Sequence, residues 1–309
     1  MADAIDVADL LDTCDQDVKT EFASTPDVID VGHNLEISKL PVTARRWHKA
    51  TDVVTVVADL RNSTQLGTGK WAASTASIYQ AATGNVVRIF DKFDADFMQI
   101  QGDGVFALFW GDDRYARAVC SGITVLTFSR KLVTRLEVKW PNLDGVTGYK
   151  VGIATSRVLV KNVGTPRNPA QQEPIWAGKT VNYATKAAQG ADRHELVVTG
   201  SVWDWIEPND YLAFSCPCGD GPSGSLWKDH TITRLPEGDP EAVGRLLTSQ
   251  WCDIHGVDYC NAVMSGKKKR DDTGNLRKAL ESAHFKNALW TTARQKRADR
   301  LARLRGMAS

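Results

Sequence analysis

The stretch TVVADLRNST, from Thr55 to Thr64, decides the fold. Its first half is rich in valine and threonine and, with the residues just before it, predicts a buried strand over about 52–60 that ends near Asp59. Its second half is polar, and every side chain after Leu60 can donate a hydrogen bond. The sequence therefore joins a core strand to a polar edge, and this edge is the first candidate functional region.

Strand and helix patterns alternate from this strand onward. Residues 70–93 have the apolar spacing of a helix, and QGDG at 101–104 is a hairpin turn signal between two apolar strands. A second helix and a further strand are predicted at 113–136 and 150–164. The order β-α-β-β-α-β is that of a ferredoxin-like or palm domain, so we expect an α/β (α+β) fold. A helix and a short strand follow this core, at 181–189 and 195–200.

The chain divides by composition into three parts. Residues 1–50 hold an acidic amphipathic helix and a loop, residues 51–205 hold the α/β pattern, and residues 206–309 form a small region rich in Cys and Trp with a basic helical tail. The segment 266–309 has 13 Lys and Arg residues against four acidic ones. A solvated helix is one explanation of this tail, and binding to nucleic acid or another acidic surface is the alternative.

The overall composition argues against two broad classes of protein. The 309 residues are 42% hydrophobic and 24% charged, which is ordinary for a globular protein. The net charge is only +1, so the chain as a whole has no strong positive potential that would attract nucleic acid or a membrane. No apolar run approaches the ~18 residues that span a bilayer. The N-terminus is acidic where a signal peptide would be basic. We therefore expect a cytoplasmic protein whose six Cys are thiols or metal ligands.

Two carboxylates lie at neighbouring strand ends in the predicted topology. Asp59 ends the first strand and Asp103 lies in the hairpin turn, so both can face one end of the sheet. Such a pair holds Mg²⁺ or Mn²⁺ against a triphosphate; a helix cap and an ordinary turn residue are the structural alternatives. The polar turn and the helix N-terminus after it are suited to phosphate oxygens. These triphosphate-binding candidates are Arg61, Asn62, Ser63 and Thr64.

Four segments between about Val53 and Thr199 resemble, in order, the catalytic domain of class III adenylate and guanylate cyclases. They are VVADLRNST (56–64), MQIQGDGVFALF (98–109), KVGIATSRVLVKNVG (150–164) and IWAGKTVNYATKAAQ (175–189). The first two resemble the family's two metal-aspartate motifs. The third resembles its Gly-Ile strand, with Ser156 where glycine is common, and the fourth its V-N-x-A-x-R helix. The resemblance implies an enzyme that cyclises a nucleoside triphosphate and releases diphosphate.

The resemblance also implies roles for individual residues. Asp59 and Asp103 would bind two divalent metal ions, with the backbone carbonyl of Leu60 as a further ligand. Asn182 stands where the family orients the ribose. Lys186 stands where the family has an arginine that stabilises the transition state, and a lysine cannot grip phosphate with two parallel hydrogen bonds. The family forms its site between two subunits, so a homodimer with shared active sites is implied.

The base-recognition positions differ from those of the adenylate cyclases. Gln99 replaces the adenine-reading lysine, and Ile175 cannot accept a hydrogen bond from the adenine amino group. Gln99 both donates and accepts, which suits the ring nitrogen and exocyclic group of uracil or cytosine. Lys179 replaces a residue that is usually aspartate and adds a donor. The expected substrate is therefore a pyrimidine nucleoside triphosphate.

This pattern and the whole fourth segment resemble the pyrimidine cyclases of the bacterial Pycsar antiphage system, which make cyclic UMP or cyclic CMP. The resemblance implies a downstream effector that reads the cyclic nucleotide and a phage-derived trigger sensed by the C-terminal region. UTP is the favoured substrate and CTP the first alternative. An adenylate or guanylate cyclase with unusual base contacts, and a non-catalytic nucleotide or nucleic-acid sensor, are the further alternatives.

The C-terminal region offers five candidate ligands for one structural Zn²⁺. Four of them would close a tetrahedral site in a region with many loops and few core residues. Reduced core thiols with a solvated histidine are the alternative reading. The candidates, in C-x-C and C-x2-H-x4-C patterns, are Cys216, Cys218, Cys252, His255 and Cys260.

Overall fold

A computed structural model describes residues 5–143, 147–165 and 168–284. A helical segment over 274–284 is the last described element. The other helices and strands, in chain order, are α1 (Val7–Phe22), β1 (Asp27–Gly32), β2 (Arg46–Arg61), α2 (Ser63–Leu66), α3 (Ala72–Lys92), β3 (Phe97–Gln101), β4 (Gly104–Phe109), α4 (Arg114–Lys139), β5 (Gly148–Gly164), β6 (Gln172–Gly178), α5 (Lys179–Gly190), β7 (Leu196–Val198), α6 (Gly200–Ile206), α7 (Asp210–Ala213), β8 (Trp227–Thr231), β9 (Val243–Leu247) and α8 (Gly256–Met264).

The chain forms two compact units. Among the described residues, the first unit contains 5–53, 110–112, 156–165 and 168–180, and the second contains the others. Strands β2 and β5 are long, and each contributes one end to the first unit and the other end to the second.

The second unit contains the predicted β-α-β-β-α-β core. The strand order is β3-β4-β2-β5-β7-β9-β8. Strands β2 and β3 both pair antiparallel with β4, and β7 pairs parallel with β5. The first four strands of this order, with α3 and α4 as the two connecting helices, form a ferredoxin-like arrangement, and the predicted fold class is confirmed.

One face of this sheet is covered by α3 and α4. Val54, Val56, Ala58 and Leu60 alternate along β2 and belong to the same hydrophobic core as Phe90 of α3. Because side chains alternate between the faces of a strand, Asp59 projects to the opposite face. The apolar pattern of β2 therefore fixes the face on which the candidate carboxylate lies.

The first unit contains the N-terminal elements and the ends of β2 and β5. Strand β1 pairs parallel with β2, and β6 pairs antiparallel with β5. Within this unit the Trp110 indole donates a hydrogen bond to the Leu35 carbonyl at 3.1 Å, and its ring lies 6.0 Å from that of Trp176. Helix α1 begins at the Asp6 cap and has no buried residue, so the predicted acidic helix is present but makes no core contact.

The described part of the C-terminal region extends the sheet of the second unit. Strand β9 pairs with β7 and with β8, both antiparallel. The buried carboxylate of Asp210 accepts hydrogen bonds from the side chains of Thr273 and Arg277 and from the backbone of Arg270. These bonds hold the segment after α8 against α7. The predicted boundary at 205/206 stays a prediction.

Two further expectations from the sequence concern membrane-spanning helices and the basic tail. No helix in the described ranges combines the length and apolarity needed to cross a membrane. The basic tail predicted from residue 266 is described only as far as 284, and its remainder lies outside the described residues.

Candidate active site

A cavity of about 660 Å³ in the second unit collects most of the predicted metal and phosphate residues. Thr64 is the one triphosphate candidate that is not among the described lining residues. The lining residues predicted from the sequence are Asp59, Leu60, Arg61, Asn62, Ser63 and Asp103. The others are Lys150, Gly190, Ala191, Asp192 and Glu195.

The strand register brings the two carboxylates to one end of the sheet. Ala58 of β2 pairs with Val105 of β4, so Asp59 follows directly beside the hairpin that carries Asp103. The pair Gln101 and Gly104 closes this hairpin around a two-residue turn, in which Gly102 has a φ of +65°. Glycine adopts this left-handed conformation without strain. Gly102 therefore allows the tight turn that holds Asp103 at the end of the hairpin.

Lys150 is the main site residue that the sequence did not suggest. Its ammonium lies 2.7 Å from the Asp59 carboxylate, with side-chain exposures of 16% for Lys150 and 34% for Asp59. A single lysine in a strand usually faces solvent, yet this one lies between buried Tyr149 and buried Val151 on β5. The alternation along β5 could have indicated that Lys150 faces the same side of the sheet as Asp59.

The electrostatic surroundings of the carboxylates suit a cation. The Tyr149 phenol on β5 is fully buried, and burial, with smaller contributions from the negative charges of Asp103 and Asp59, raises its pKa. The two carboxylates themselves concentrate negative charge at this end of the sheet, and this charge favours a bound cation. The Lys150 ammonium already neutralises part of this negative charge through its ion pair with Asp59. The donor set of carboxylate and backbone oxygens is the set that Mg²⁺ and Mn²⁺ prefer.

The polar turn after Asp59 is ordered by its own contacts. Arg61 pairs with Asp192 across the cavity, and Thr147 donates a hydrogen bond to the Arg61 carbonyl at 2.8 Å. Asn62 adopts a left-handed conformation at the start of α2. That helix is a single turn, and the long helix α3 starts only at Ala72. The expected helix N-terminus is therefore one short turn rather than the start of a long helix.

Helix α5 carries the two predicted helix residues, Asn182 and Lys186. Asn182 is exposed and Lys186 is half-buried. Neither residue is among the described residues that line the carboxylate cavity. Another face of α5 borders a smaller cavity of about 160 Å³ that also touches Asp59. The α5 residues at that smaller cavity are Val181, Thr185 and Gln189. A single chain thus brings the two carboxylates together but not the two predicted helix residues.

Glycine in the third motif allows α5 to approach β5. A Cβ atom on Gly152 would lie 2.0 Å from the Ala184 carbonyl oxygen and 2.4 Å from the Ala188 nitrogen. No side chain fits at this crossing, so the motif glycine fixes the position of α5 by close backbone contact.

The three base-recognition candidates lie on different elements. Gln99 is half-buried on β3, opposite Phe106 of β4, in the second unit. Ile175 is 45% exposed on β6, opposite Lys161, in the first unit. Lys179 is exposed at the start of α5, also in the first unit.

Four of the five zinc candidates come together in the second unit. The ligand atoms of Cys216, Cys218, Cys252 and His255 all lie within 4.8 Å of one another. Cys260 is not part of this cluster. Its thiol instead forms a hydrogen bond with that of buried Cys120, and this bond, together with burial, raises the pKa of Cys120.

Comparison with known proteins assigns the chain to a family. No family model matches it. Over 304 residues it is 57% identical to a uridylate cyclase of Micromonospora echinofusca, covering 98% of this chain and 99% of that protein. Over 300 residues it is 45% identical to a uridylate cyclase of Propioniciclava tarda, covering 96% of each.

Among solved structures, the adenylyl cyclase CyaB of P. aeruginosa resembles this chain with a TM-score of 0.50. The two share 15% sequence identity, and the match covers 67% of this chain and 97% of CyaB. At this identity the likeness shows the fold alone, which is that of a cyclase catalytic domain. The family follows from the near full-length relatives: the chain belongs to the uridylate cyclases.

Proposed function

We propose that this protein converts UTP to 3′,5′-cyclic UMP and diphosphate. The observation that carries the proposal is the convergence of Asp59, Asp103 and Lys150 in one cavity, in a chain whose relatives are named uridylate cyclases. In this reaction the 3′-oxygen forms a bond to the α-phosphorus, the bond from that phosphorus to diphosphate breaks, and the 3′-hydroxyl proton is released.

Asp59, Asp103 and the Leu60 carbonyl would hold two divalent cations, Mn²⁺ or Mg²⁺. Such ions lower the pKa of the attacking hydroxyl and neutralise the leaving diphosphate. The ion pair between Lys150 and Asp59 supports this assignment, because it places a positive charge where a cation is required.

The residues around the carboxylates would bind the triphosphate. Lys150 is near enough to Asp59 to exchange its carboxylate partner for a diphosphate oxygen, and its charge would stabilise the leaving group. Arg61 and Ser63 line the same cavity and supply donors for the remaining phosphate oxygens. Asn62 and Thr64 of the same turn are assigned to this role as well.

Asn182 and Lys186 would act on the site of a second copy of the chain. Their absence from the described lining of the carboxylate cavity supports a homodimer with shared sites. Asp59→Asn and Asn182→Ala should each be inactive alone. After subunit exchange, a mixture should regain about a quarter of wild-type activity, because half of the dimers would have one intact site. No recovery in a mixture shown to form mixed dimers would contradict shared sites.

Gln99, Ile175 and Lys179 would read the uracil base. The Gln99 amide can accept a hydrogen bond from the uracil N3–H and donate one to O4. CTP remains the nearest alternative substrate, because an amide can also bond cytosine after rotating by half a turn.

The direct test uses purified protein, UTP and Mn²⁺, with cyclic UMP and diphosphate as the measured products. Asp59→Asn and Asp103→Asn should each lose at least ~100-fold in rate, since each removes a metal-ligand charge. Asp91→Asn, at an exposed position of α3, is the matched control and should retain wild-type activity. Equal turnover of UTP by the wild type and both carboxylate variants would contradict the proposal.

We further propose that the cyclic UMP is a second messenger in a bacterial antiphage system of the Pycsar type. This rests on the sequence resemblance, and it implies an effector that binds cyclic UMP and a phage-derived trigger at the C-terminal region. A cytoplasmic location follows from the proposed substrate, because cells hold UTP there. Cyclic UMP should rise after phage infection in cells with the wild-type protein and not in cells with Asp59→Asn. An equal level in both would contradict this role.

A further inference from the structure

We propose that Cys216, Cys218, Cys252 and His255 form a closed zinc site with a structural role. The site is separate from the carboxylate cavity and does not depend on the proposed cyclase reaction. Three sulfur atoms and one imidazole nitrogen converge within 4.8 Å, and this donor set is one of the common sets for structural Zn²⁺.

The three distances among Cys218, Cys252 and His255 match those around a tetrahedral zinc ion. With Zn–S near 2.3 Å and Zn–N near 2.0 Å, two sulfur ligands lie about 3.8 Å apart, and sulfur and nitrogen lie about 3.5 Å apart. The Cys218 and Cys252 sulfur atoms are 3.6 Å apart. The His255 Nδ1 atom is 3.3 Å from the Cys218 sulfur and 3.8 Å from the Cys252 sulfur. These separations are too long for disulfides and fit ligands around one ion.

The convergence is not explained by packing. The four ligands lie in two loops, 215–226 and 248–255, and neither loop has a buried residue. In the first loop, Gly219 and Gly221 have positive φ angles. Leu226 and Trp251 pack against the core, one from each loop, but the ligand-bearing residues are at most half-buried, and ordering such segments costs conformational entropy that little burial offsets. A bound metal ion supplies the missing free energy.

The zinc ion would tie an exposed loop to an anchored one. Trp251 donates hydrogen bonds from its backbone to Thr127 and from its indole to Thr124, so loop 248–255 is fixed to α4. Loop 215–226 is held only at its two ends, where Arg270 donates to the Ser215 carbonyl at 3.0 Å and Leu226 packs against the core. Four protein ligands leave no open coordination position, so the site is structural rather than catalytic.

Metal analysis of the full-length protein tests this inference. After purification without chelators, the wild type should contain about one zinc per chain, and Cys218→Ser and Cys252→Ser should lose it. Cys14→Ser, in exposed α1, and Cys260→Ser, at the fifth candidate, are the matched controls and should retain zinc. Wild-type protein without stoichiometric zinc, with another metal in its place, or zinc loss in Cys260→Ser equal to that in Cys218→Ser would overturn the inference.

A second measurement avoids the variants, which can fail to fold. Replacement of the zinc in wild-type protein by Co²⁺ should give the visible absorption of tetrahedral cobalt with thiolate ligands, and removal by a chelator should lower the unfolding temperature. Octahedral cobalt spectra, or an unfolding temperature that the chelator does not change, would refute the site. Neither readout involves UTP turnover, so its failure is distinguishable from failure of the proposed reaction.

Discussion

Replacing Gly152 by alanine should damage both stability and catalysis through one backbone contact. The added Cβ would lie 2.0 Å from the Ala184 carbonyl oxygen, whereas ordinary contact begins at 3.4 Å, so α5 must retreat by about 1.4 Å. Overpacking of this kind costs typically 1–3 kcal/mol. A misplacement of about 1 Å in a catalytic group costs ~100-fold in rate. Because α5 carries Asn182 and Lys186, we expect Gly152→Ala to lose about 1–3 kcal/mol of folding stability and about 100-fold in catalytic rate.

The assay combines urea unfolding with diphosphate release from UTP. The unfolding midpoint should fall while the slope stays constant, and the kcat should fall by ~100-fold. Gly274→Ala is the matched control, because a Cβ there meets no atom within 4 Å and the backbone has no positive φ. That control should be neutral or slightly stabilising. Wild-type stability and rate in Gly152→Ala would refute the account of how α5 is positioned.

Three further predictions follow from single side chains. Lys150→Met should lower kcat/KM for UTP by ~10–100-fold in diphosphate-release kinetics, because it removes a charged hydrogen-bond donor from the cavity. An unchanged value would contradict the proposal that Lys150 binds the phosphates of UTP. Gln99→Glu should lower kcat/KM for UTP in the same diphosphate-release assay, because a carboxylate cannot donate to O4 of uracil, and an unaltered value would argue against base contact. Burial, with the charges of Arg130 and Arg193, lowers the pKa of His194 to about 4, so the unfolded chain binds its proton first as the pH falls. Wild-type stability should therefore decrease between about pH 6.5 and pH 4, and His194→Gln should flatten that part of a urea-midpoint profile against pH; parallel profiles would contradict this.

The His194 prediction has a structural basis beyond burial. The Nδ1 atom of His194 lies 2.9 Å from the Ser129 hydroxyl, which already accepts a hydrogen bond from the Tyr149 backbone at 2.7 Å. A neutral imidazole can accept the single proton of this hydroxyl at Nδ1, and protonation of the ring would remove that acceptor. The network thus contacts the backbone of Tyr149, which precedes Lys150 on β5.

The elements of the catalytic core were predictable because each has a strong local signal. The run of β-branched residues from Val53 to Val57 predicts the buried strand β2, and the QGDG turn predicts the hairpin that carries Asp103. The strand predicted over 195–200 is shorter in the structure, because β7 ends at Val198 and α6 begins at Gly200. Boundaries of this kind depend on tertiary contacts rather than on local pattern.

The parts of the site that the sequence did not reveal depend on neighbours in space. Lys150 resembles any strand lysine until β5 is placed beside β2, and only then does it meet Asp59. The spacing of Cys260 fits a zinc ligand as well as that of Cys252. Its place on α8, however, directs its thiol to Cys120 of α4 instead of to the cluster. Spacing along the chain does not specify which face of a helix a ligand occupies.

The most direct test of the central claim is a competition among the four ribonucleoside triphosphates. Purified protein is incubated with Mn²⁺ and equal concentrations of ATP, GTP, CTP and UTP, and the cyclic products are identified by mass spectrometry, with Asp59→Asn as the control. The account predicts cyclic UMP as the main product and its loss in the variant. Cyclic AMP or cyclic GMP as the main product, or cyclic UMP undiminished in Asp59→Asn, would contradict it.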